Sequence, residues 1–215
     1  VTAAEMPKQA QMYFYDVPNA KQSQLRIGYP TINAKHKDYY SAQVMNYILG
    51  GGSFASKLTQ ELREGKGYTY GVRSSFSGDN VSGEFLISSG VRSNVTLEAI
   101  ALIKTLVEQY QTDFNAKDLA TTQSYYLKSN ARKFETFNAK LAILQDMSKY
   151  NLPANYVLQR AELVEGLTLD SVKSLAEEYL RPENMIYLVV GDAETQLPRL
   201  KALGLGEPVL LNNNG

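Results

Sequence analysis

The stretch GGGSFASKLTQELREGKGYTYGVRSSF, Gly50 to Phe76, decides how the chain must fold. It follows the helical pattern of YYSAQVMNYIL and opens on three glycines. A charged run with helical spacing comes next, and Gly65 and Gly67 stop it. From Tyr68 the pattern alternates as a strand does. The glycine run lacks the Lys-Ser/Thr pair of a phosphate loop and follows a helix rather than a strand, so a helix C-cap and a tight turn explain it. Simple alternation would put Tyr70, Val72 and Phe76 on one side and Thr69, Gly71 and Arg73 on the other. That parity turns Tyr70 towards the core, unless a bulge after the glycines resets it.

Upstream of this junction, residues 11–17 and 24–29 read as two strands, with Pro18, Asn19 and Ala20 between them. Leu25, Ile27 and Tyr29 share one face of the second strand, opposite Gln24, Arg26 and Gly28, which is the pattern of a sheet covered on one side. Asp38 stands where an N-cap is expected for the helix that carries Ala42, Met45 and Leu49. Downstream, YTYGVRSSFSG and GEFLISSGVR form two strands joined at Gly78, Asp79 and Asn80. A long helical tract follows, with Ile100, Ile103, Val107 and Tyr110 at helical spacing. Pro153 limits one of its helices, and Thr168 caps another whose stripe is Val172, Leu175, Ala176, Tyr179 and Leu180. NMIYLVVGD reads as a strand in mid-sheet, and a short helix at ETQLPRLKAL ends the pattern. The last strand must rejoin the first four. The expected fold is α+β, a two-layer sandwich with one mostly antiparallel sheet and helices packed on one face.

The 215 residues suit one domain. With no cysteine, disulfides and thiolate metal sites are excluded. Lys and Arg number 22, as do Asp and Glu, so net charge points to neither nucleic acid nor an anionic membrane. No apolar run reaches the roughly 18 residues of a membrane helix. The stretch VTAAEMPKQAQ has no apolar core of a signal peptide and no initiator Met, and LLNNNG reads as a cut or frayed end. The single histidine, His36, lies in the polar stretch NAKHKDYY and is expected to be a solvated loop residue. A histidine-based zinc site needs two or three imidazoles, and no spaced Asp/Asn loop for calcium is present.

Taken singly, Arg63 is a helix-surface charge and Tyr70 an ordinary strand residue. The whole segment, however, resembles the C-terminal homologous domain of insulinase/pitrilysin-type zinc metallopeptidases, the group of mitochondrial processing peptidase and its bacterial relatives. The resemblance rests on GGGSFASKLTQELREGKGYTYGVRSSFSG and continues through VPNAKQSQLRIGYPTI, SGEFLISSGVRSNVTLEAIALI and MIYLVVGDAE, covering essentially the whole chain as one domain, 1–215. It implies the LuxS/MPP-like metallohydrolase fold. It also implies a partner, the homologous zinc-binding half that carries His-x-x-Glu-His, either upstream in the same chain or as a separate subunit, with a peptide substrate enclosed between the halves. In this group the non-zinc half supplies an Arg and a Tyr seven positions apart, and Arg63 and Tyr70 match that spacing. The resemblance thus casts Arg63 as substrate-binding. Tyr70 becomes both substrate-binding and the catalytic oxyanion donor.

One histidine cannot make His-x-x-Glu-His, so zinc is expected in the partner and not in this chain. The chain would be the C-terminal half of a longer two-domain protein, inactive alone. The alternative is a non-catalytic peptide-binding or scaffold module of the same fold, receiving a peptide by strand addition. The bacterial periplasm and the cytoplasm both fit.

Overall fold

The computed structural model describes residues 4–132 and 134–212. The outermost residues of both terminal stretches, and Lys133, lie outside the described residues. Six strands form one sheet in the order β3-β4-β2-β5-β1-β6. They are β1 (Gln11–Asp16), β2 (Gln22–Thr31), β3 (Thr69–Gly78), β4 (Gly83–Arg92), β5 (Ile186–Gly191) and β6 (Val209–Leu211). The β3–β4, β4–β2 and β2–β5 pairs are antiparallel, while β5–β1 and β1–β6 are parallel. The sheet is therefore mixed but mostly antiparallel, as the pattern predicts. Because β5 sits between β2 and β1, the first two strands are sequence neighbours without being sheet neighbours. β5 alternates half-buried and buried positions in mid-sheet, also as predicted.

The inward face of β2 places Leu25 and Ile27 at zero exposure and Tyr29 beside them. Cross-strand partners on β4 are Ser89, Ile87 and Phe85, in the same order. Phe14 on β1, Val189 on β5 and Phe76 on β3 extend this layer, and all are buried. Helices cover it. They are α1 (Tyr39–Asn46), α2 (Thr96–Asp113), α3 (Ala116–Arg132), α4 (Phe137–Tyr150), α5 (Tyr156–Glu165), α6 (Leu169–Tyr179) and α7 (Ala193–Leu200). Ile100, Ile103, Val107 and Tyr110 of α2 are all buried, which is the helical stripe predicted for it. Thr168 and Ser171 form a reciprocal capping box on α6. At the β3–β4 turn the Asp79 carboxylate accepts from the backbone N–H of Ser82 and Val81, at 2.8 and 2.7 Å, and these bonds hold its pKa below the usual range.

Three local expectations are corrected. Asp38 precedes α1, but its side chain makes no cap hydrogen bond; it accepts instead from the Tyr179 hydroxyl, 2.8 Å away. The three glycines after α1 do not form a left-handed cap, since Gly52 has φ −89° and the chain winds on through a wide π-helical turn over Tyr47–Gly51. Their reason is crowding. A Cβ on Gly50 would come within 2.6 Å of the Ser74 backbone nitrogen, and one on Gly52 within 2.7 Å of the Tyr47 carbonyl. Third, the fold ends on β6 rather than on α7. That three-residue strand runs parallel to β1 and is exposed along its length.

Buried phenols tie the layers together. Tyr29 donates to the Tyr179 carbonyl and accepts from the Arg181 N–H at 3.0 Å, and Tyr110 donates to the Met45 carbonyl at 2.6 Å. Tyr187 is the exception, because its fully buried hydroxyl has no partner among the described residues. Burial pushes its pKa up to about 12, since ionisation there would leave an unsolvated phenolate. A phenol ionises near pH 10 in the unfolded chain. The contribution of Tyr187 to stability is therefore complete below about pH 10 and is lost as pH rises above it. Removing that orphan hydroxyl should cost little, because no partner is left unpaired. We predict that Tyr187→Phe matches or exceeds the wild-type urea midpoint at pH 7 and loses less stability between about pH 10 and 12.

Candidate functional site

Arg63 and Tyr70 are held by two different devices. Thr59–Gly65 forms a second wide π-helical turn, a geometry that recurs at functional sites. It closes where the Lys66 and Gly67 N–H groups donate to the Glu61 and Arg63 carbonyls, both at 3.0 Å. Gly67 then adopts φ +62° with nothing within 4 Å of where a Cβ would lie, so glycine is needed for conformation and not for space. The chain turns here and enters β3, where Tyr68 donates its N–H to the Leu62 carbonyl at 2.8 Å.

At this point the register shifts. Thr69 pairs with Val91 and Val72 with Ser89, so Tyr70 and Gly71 together oppose Gly90. This is a β-bulge, and it resets the strand's parity. Thr69, Val72, Ser74 and Phe76 face inward, while Tyr70 is turned out to 89% exposure. Simple alternation pointed Tyr70 at the core, and the bulge reverses that. Hydroxyls stitch the bulge together. The Thr69 hydroxyl accepts from the Gly71 N–H at 3.0 Å and from the Ser89 hydroxyl at 3.0 Å. Its own hydrogen goes to the Gly71 or the Gly90 carbonyl, 2.8 and 2.7 Å away.

Arg63 lies on the exposed side of its turn. Its guanidinium sits 5.2 Å from the ring centroid of Phe54, itself 64% exposed, and its Nε is 3.3 Å from a Glu64 carboxylate oxygen. Such stacking holds the planar fork in place. Arg63 lines a cleft of about 470 Å³ with Gly71, the neighbour of Tyr70, and with Arg73 and Ser88 of the sheet. The structure thus brings Arg63 and the Tyr70 bulge to one cleft. The phenol of Tyr70 has no hydrogen-bond partner among the described residues, and neither do the two terminal nitrogens of Arg63. Both remain available as donors to a ligand.

Arg73 and Phe54 were not singled out from the sequence. Arg73 could have been found, since alternation puts it on the outer face; an exposed Phe54 under an arginine has no sequence signature. His36 is an exposed turn residue, as expected, with its Nδ1 accepting the Asp38 N–H at 3.2 Å. Among the described residues there is no group of three or more His, Asp or Glu side chains able to hold a metal ion. With one histidine and no cysteine the residues present do not fit a zinc site.

The edge of β3 beyond the bulge is occupied. Asn46 donates to the Ser74 carbonyl at 2.8 Å and Gln43 to the Phe76 carbonyl at 3.1 Å, while Thr59 reaches the Val72 carbonyl at 3.4 Å. Alternate carbonyls of that edge therefore already have partners, which works against strand addition there.

The peptidase M16 inactive domain is the family whose model matches residues 3–126, and the chain belongs to that family. Among curated proteins it is similar to "Uncharacterized zinc protease YmxG" of Bacillus subtilis, 29% identical over 123 residues, which are 57% of this chain and 30% of that protein. It is also similar to "Non-peptidase homolog YmxG" of Helicobacter pylori, 21% identical over 161 residues, 73% of this chain and 36% of that protein. The chain thus spans about a third of the curated relatives it matches. Among solved structures, the peptidase M16 inactive domain from Pseudomonas fluorescens is 26% identical with a TM-score of 0.80, over 89% of this chain and 46% of that one. A protease from Helicobacter pylori, 18% identical over 86% of this chain and 45% of that one, shares the fold with a TM-score of 0.78.

Thr69→Val keeps the side chain's shape and β propensity but leaves the Gly71 N–H without its acceptor and Ser89 with only the Gly71 carbonyl, 3.1 Å away, to donate to. We expect a loss of about 1–3 kcal/mol in urea unfolding. Amide hydrogen exchange at Gly71 should rise by more than at Phe76, which is farther along the same strand.

Proposed function

We propose that this chain is the substrate-engaging half of an M16 zinc metalloendopeptidase and is inactive by itself. The observation that carries the reading is the bulge, which spends ordered hydrogen bonds to display Tyr70 in solvent beside the cleft that Arg63 lines. A tyrosine with only a packing role would follow the strand's alternation inward. The family membership supports a peptidase context, and in this reading the zinc is held by a homologous complementary half. Such a half lies upstream in the same chain or in a separate subunit.

In this reading Arg63 donates to backbone carbonyls of the peptide and fixes its position, with the Phe54 ring holding the guanidinium in place. Tyr70 donates its phenol hydrogen bond to the oxyanion that develops on the scissile carbonyl. A preorganised donor of this kind contributes about 2.7–4 kcal/mol to the transition state once closure of the two halves excludes water. Backbone contacts are sequence-tolerant, so this pair accounts for grip and rate, not for side-chain preference.

A second reading has its own support. Two relatives are named "Non-peptidase homolog YmxG" and "Probable inactive metalloprotease YmfF", the latter 32% identical over 114 residues. In that reading the same cleft binds a peptide without cleaving it.

The two readings separate on mixing the chain with a cognate half that carries His-x-x-Glu-His. We expect cleavage of a quenched fluorescent peptide only in the mixture. Tyr70→Phe should lower kcat by about 100- to 1,000-fold with little change in KM, the signature of an interaction made in the transition state. Arg63→Gln should act mainly on KM. Equal kcat for wild type and Tyr70→Phe would remove Tyr70 from the mechanism. Peptide binding without cleavage in every mixture would establish the scaffold reading.

A further inference from the structure

We propose that the outer face of α3 is a second binding subsite, one that selects acidic segments of polypeptide carrying an aromatic side chain. A cleft of about 600 Å³ runs along this helix. Lys117, Lys128 and Arg132 line it, and so do Tyr47 and Tyr125. The spacing 117, 121, 125, 128, 132 keeps one helix face turned to the cleft, while Leu119 and Tyr126 on the other side pack against the core.

Three observations fix the chemistry of the occupant. First, among the described residues no Asp or Glu lines this cleft, and none lines the Arg63–Arg73 cleft. The two together hold Arg63, Arg73, Lys117, Lys128 and Arg132 in a chain whose charges balance overall. Second, none of the three α3 cations has an ion-pair partner among the described residues. The acid nearest to them in sequence, Asp118, lies on the flank of the helix and faces Lys57 at 3.7 Å. A cation cluster left unneutralised in a concave surface attracts anionic ligands. Third, the cleft has an aromatic wall. The Tyr47 and Tyr125 rings stack with centroids 4.4 Å apart and 23° between planes, and Tyr125 remains 50% exposed. Stacked, rigid aromatics beside cations suit carboxylates interspersed with a ring, and they suit a bare phosphate less well.

The placement ties this surface to the first cleft. The carbonyl of Tyr47 accepts the Gly52 N–H at 2.7 Å, and Gly50, Gly51 and Ser53 of the same turn line the Arg63 cleft. The two clefts flank one turn, and the proposal seats one extended polypeptide across both. Backbone grip at Arg63 and charge selection along α3 are then complementary. The inference rests on the reading that this face takes polypeptide; it does not depend on Tyr70 taking part in cleavage.

The test uses the intact chain alone. Fluorescein-labelled 14-residue peptides are compared by anisotropy at low and at 150 mM salt. One alternates Glu and Asp with small residues around a single Tyr, one replaces each acid by its amide, and one carries Lys instead. We expect the acidic peptide to bind more tightly than the amide peptide, and the difference to shrink with salt. K117Q/K128Q/R132Q should weaken the acidic peptide about tenfold, as three exposed ion pairs would, and leave the amide peptide unchanged. Tyr125→Ala should weaken the acidic peptide only when its Tyr is present. A control set, K8Q/K21Q/K173Q, removes the same charge elsewhere and should leave affinity unchanged; melting temperatures verify that both triple variants fold. Equal affinity for acidic and amide peptides overturns the proposal, as does equal weakening by both triple variants. If a heparin oligosaccharide or phosphatidylserine vesicles bind through Lys117, Lys128 and Arg132 more tightly than the acidic peptide, the polypeptide assignment is overturned. Because no zinc half is present, loss of the acidic preference leaves the cleavage role of Tyr70 standing. A silent Tyr70→Phe in the assembled enzyme likewise leaves the α3 subsite standing.

Discussion

The hydroxyl of Thr69 is the smallest part on which the site depends. A strand that carries Val72, Ser74 and Phe76 into the core must, by alternation, carry Tyr70 there too. The extra residue at Tyr70–Gly71 breaks that rule, and an unpaired bulge residue costs ladder hydrogen bonds. Thr69 and Ser89 return them. Both are nearly buried, and both spend their polar atoms on the bulge and on each other. The glycine at position 71 meets nothing within 4 Å of where a Cβ would lie, so space does not demand it. The bulge is therefore set by side-chain hydrogen bonds from one residue before and one across the sheet.

The same strand is constrained from its other side. An edge strand with free carbonyls invites pairing with any passing chain. Here Gln43, Asn46 and Thr59 occupy alternate carbonyls, and the near approach of Gly50 to Ser74 brings the helical segment close enough for them to reach. Closing the edge has a consequence for recognition. Over residues 72–76 the domain cannot read a ligand as an added strand without giving up these bonds. In the proposed reading, recognition passes instead through side chains that stand clear of the sheet, Tyr70, Arg63 and Arg73.

Much of this architecture is legible in the sequence, and for identifiable reasons. The alternation of Leu25, Ile27 and Tyr29 reports a sheet covered on one side because burial selects every second residue. The stripe of α2 and the Thr168 cap are equally local. What escapes is what depends on distant partners. The three residues of β6 are too few for periodicity, and they become a strand only because β1 offers an edge. The insertion of β5 between β2 and β1 is invisible in two short strands joined by a turn. The glycines at 50 and 52 look like a cap, but their cause is a backbone on another element and a ring one turn earlier. Asp38 sits at a cap position, yet a hydroxyl from α6 claims its carboxylate. At the candidate site, the spacing of Arg63 and Tyr70 is legible through resemblance to a family. The exposure of Tyr70 is not, because it turns on a bulge whose staple lies partly on β4.

The distribution of charge carries the argument one step further. Equal numbers of acids and bases say nothing about partners when they are summed over the chain. Elsewhere the acids lie beside bases: Glu98 with Arg199, Asp118 with Lys57, Glu108 with Lys104. Around the two clefts the cations line the concave surface with no acid among the described lining residues, and Glu64 approaches Arg63 from outside it, 3.3 Å from Nε. Exposed pairs contribute little to folding stability, so leaving Lys117, Lys128 and Arg132 without ion pairs costs the fold little. Such a surface gains most when a ligand displaces water from around it, because the attraction then acts in a lower dielectric. A closing partner half would do that to the face that bears Arg63 and Tyr70. If the proposed roles hold, electrostatic selection along α3 and hydrogen bonding at the bulge would both strengthen in the same event, coupling recognition of the polypeptide to closure over it.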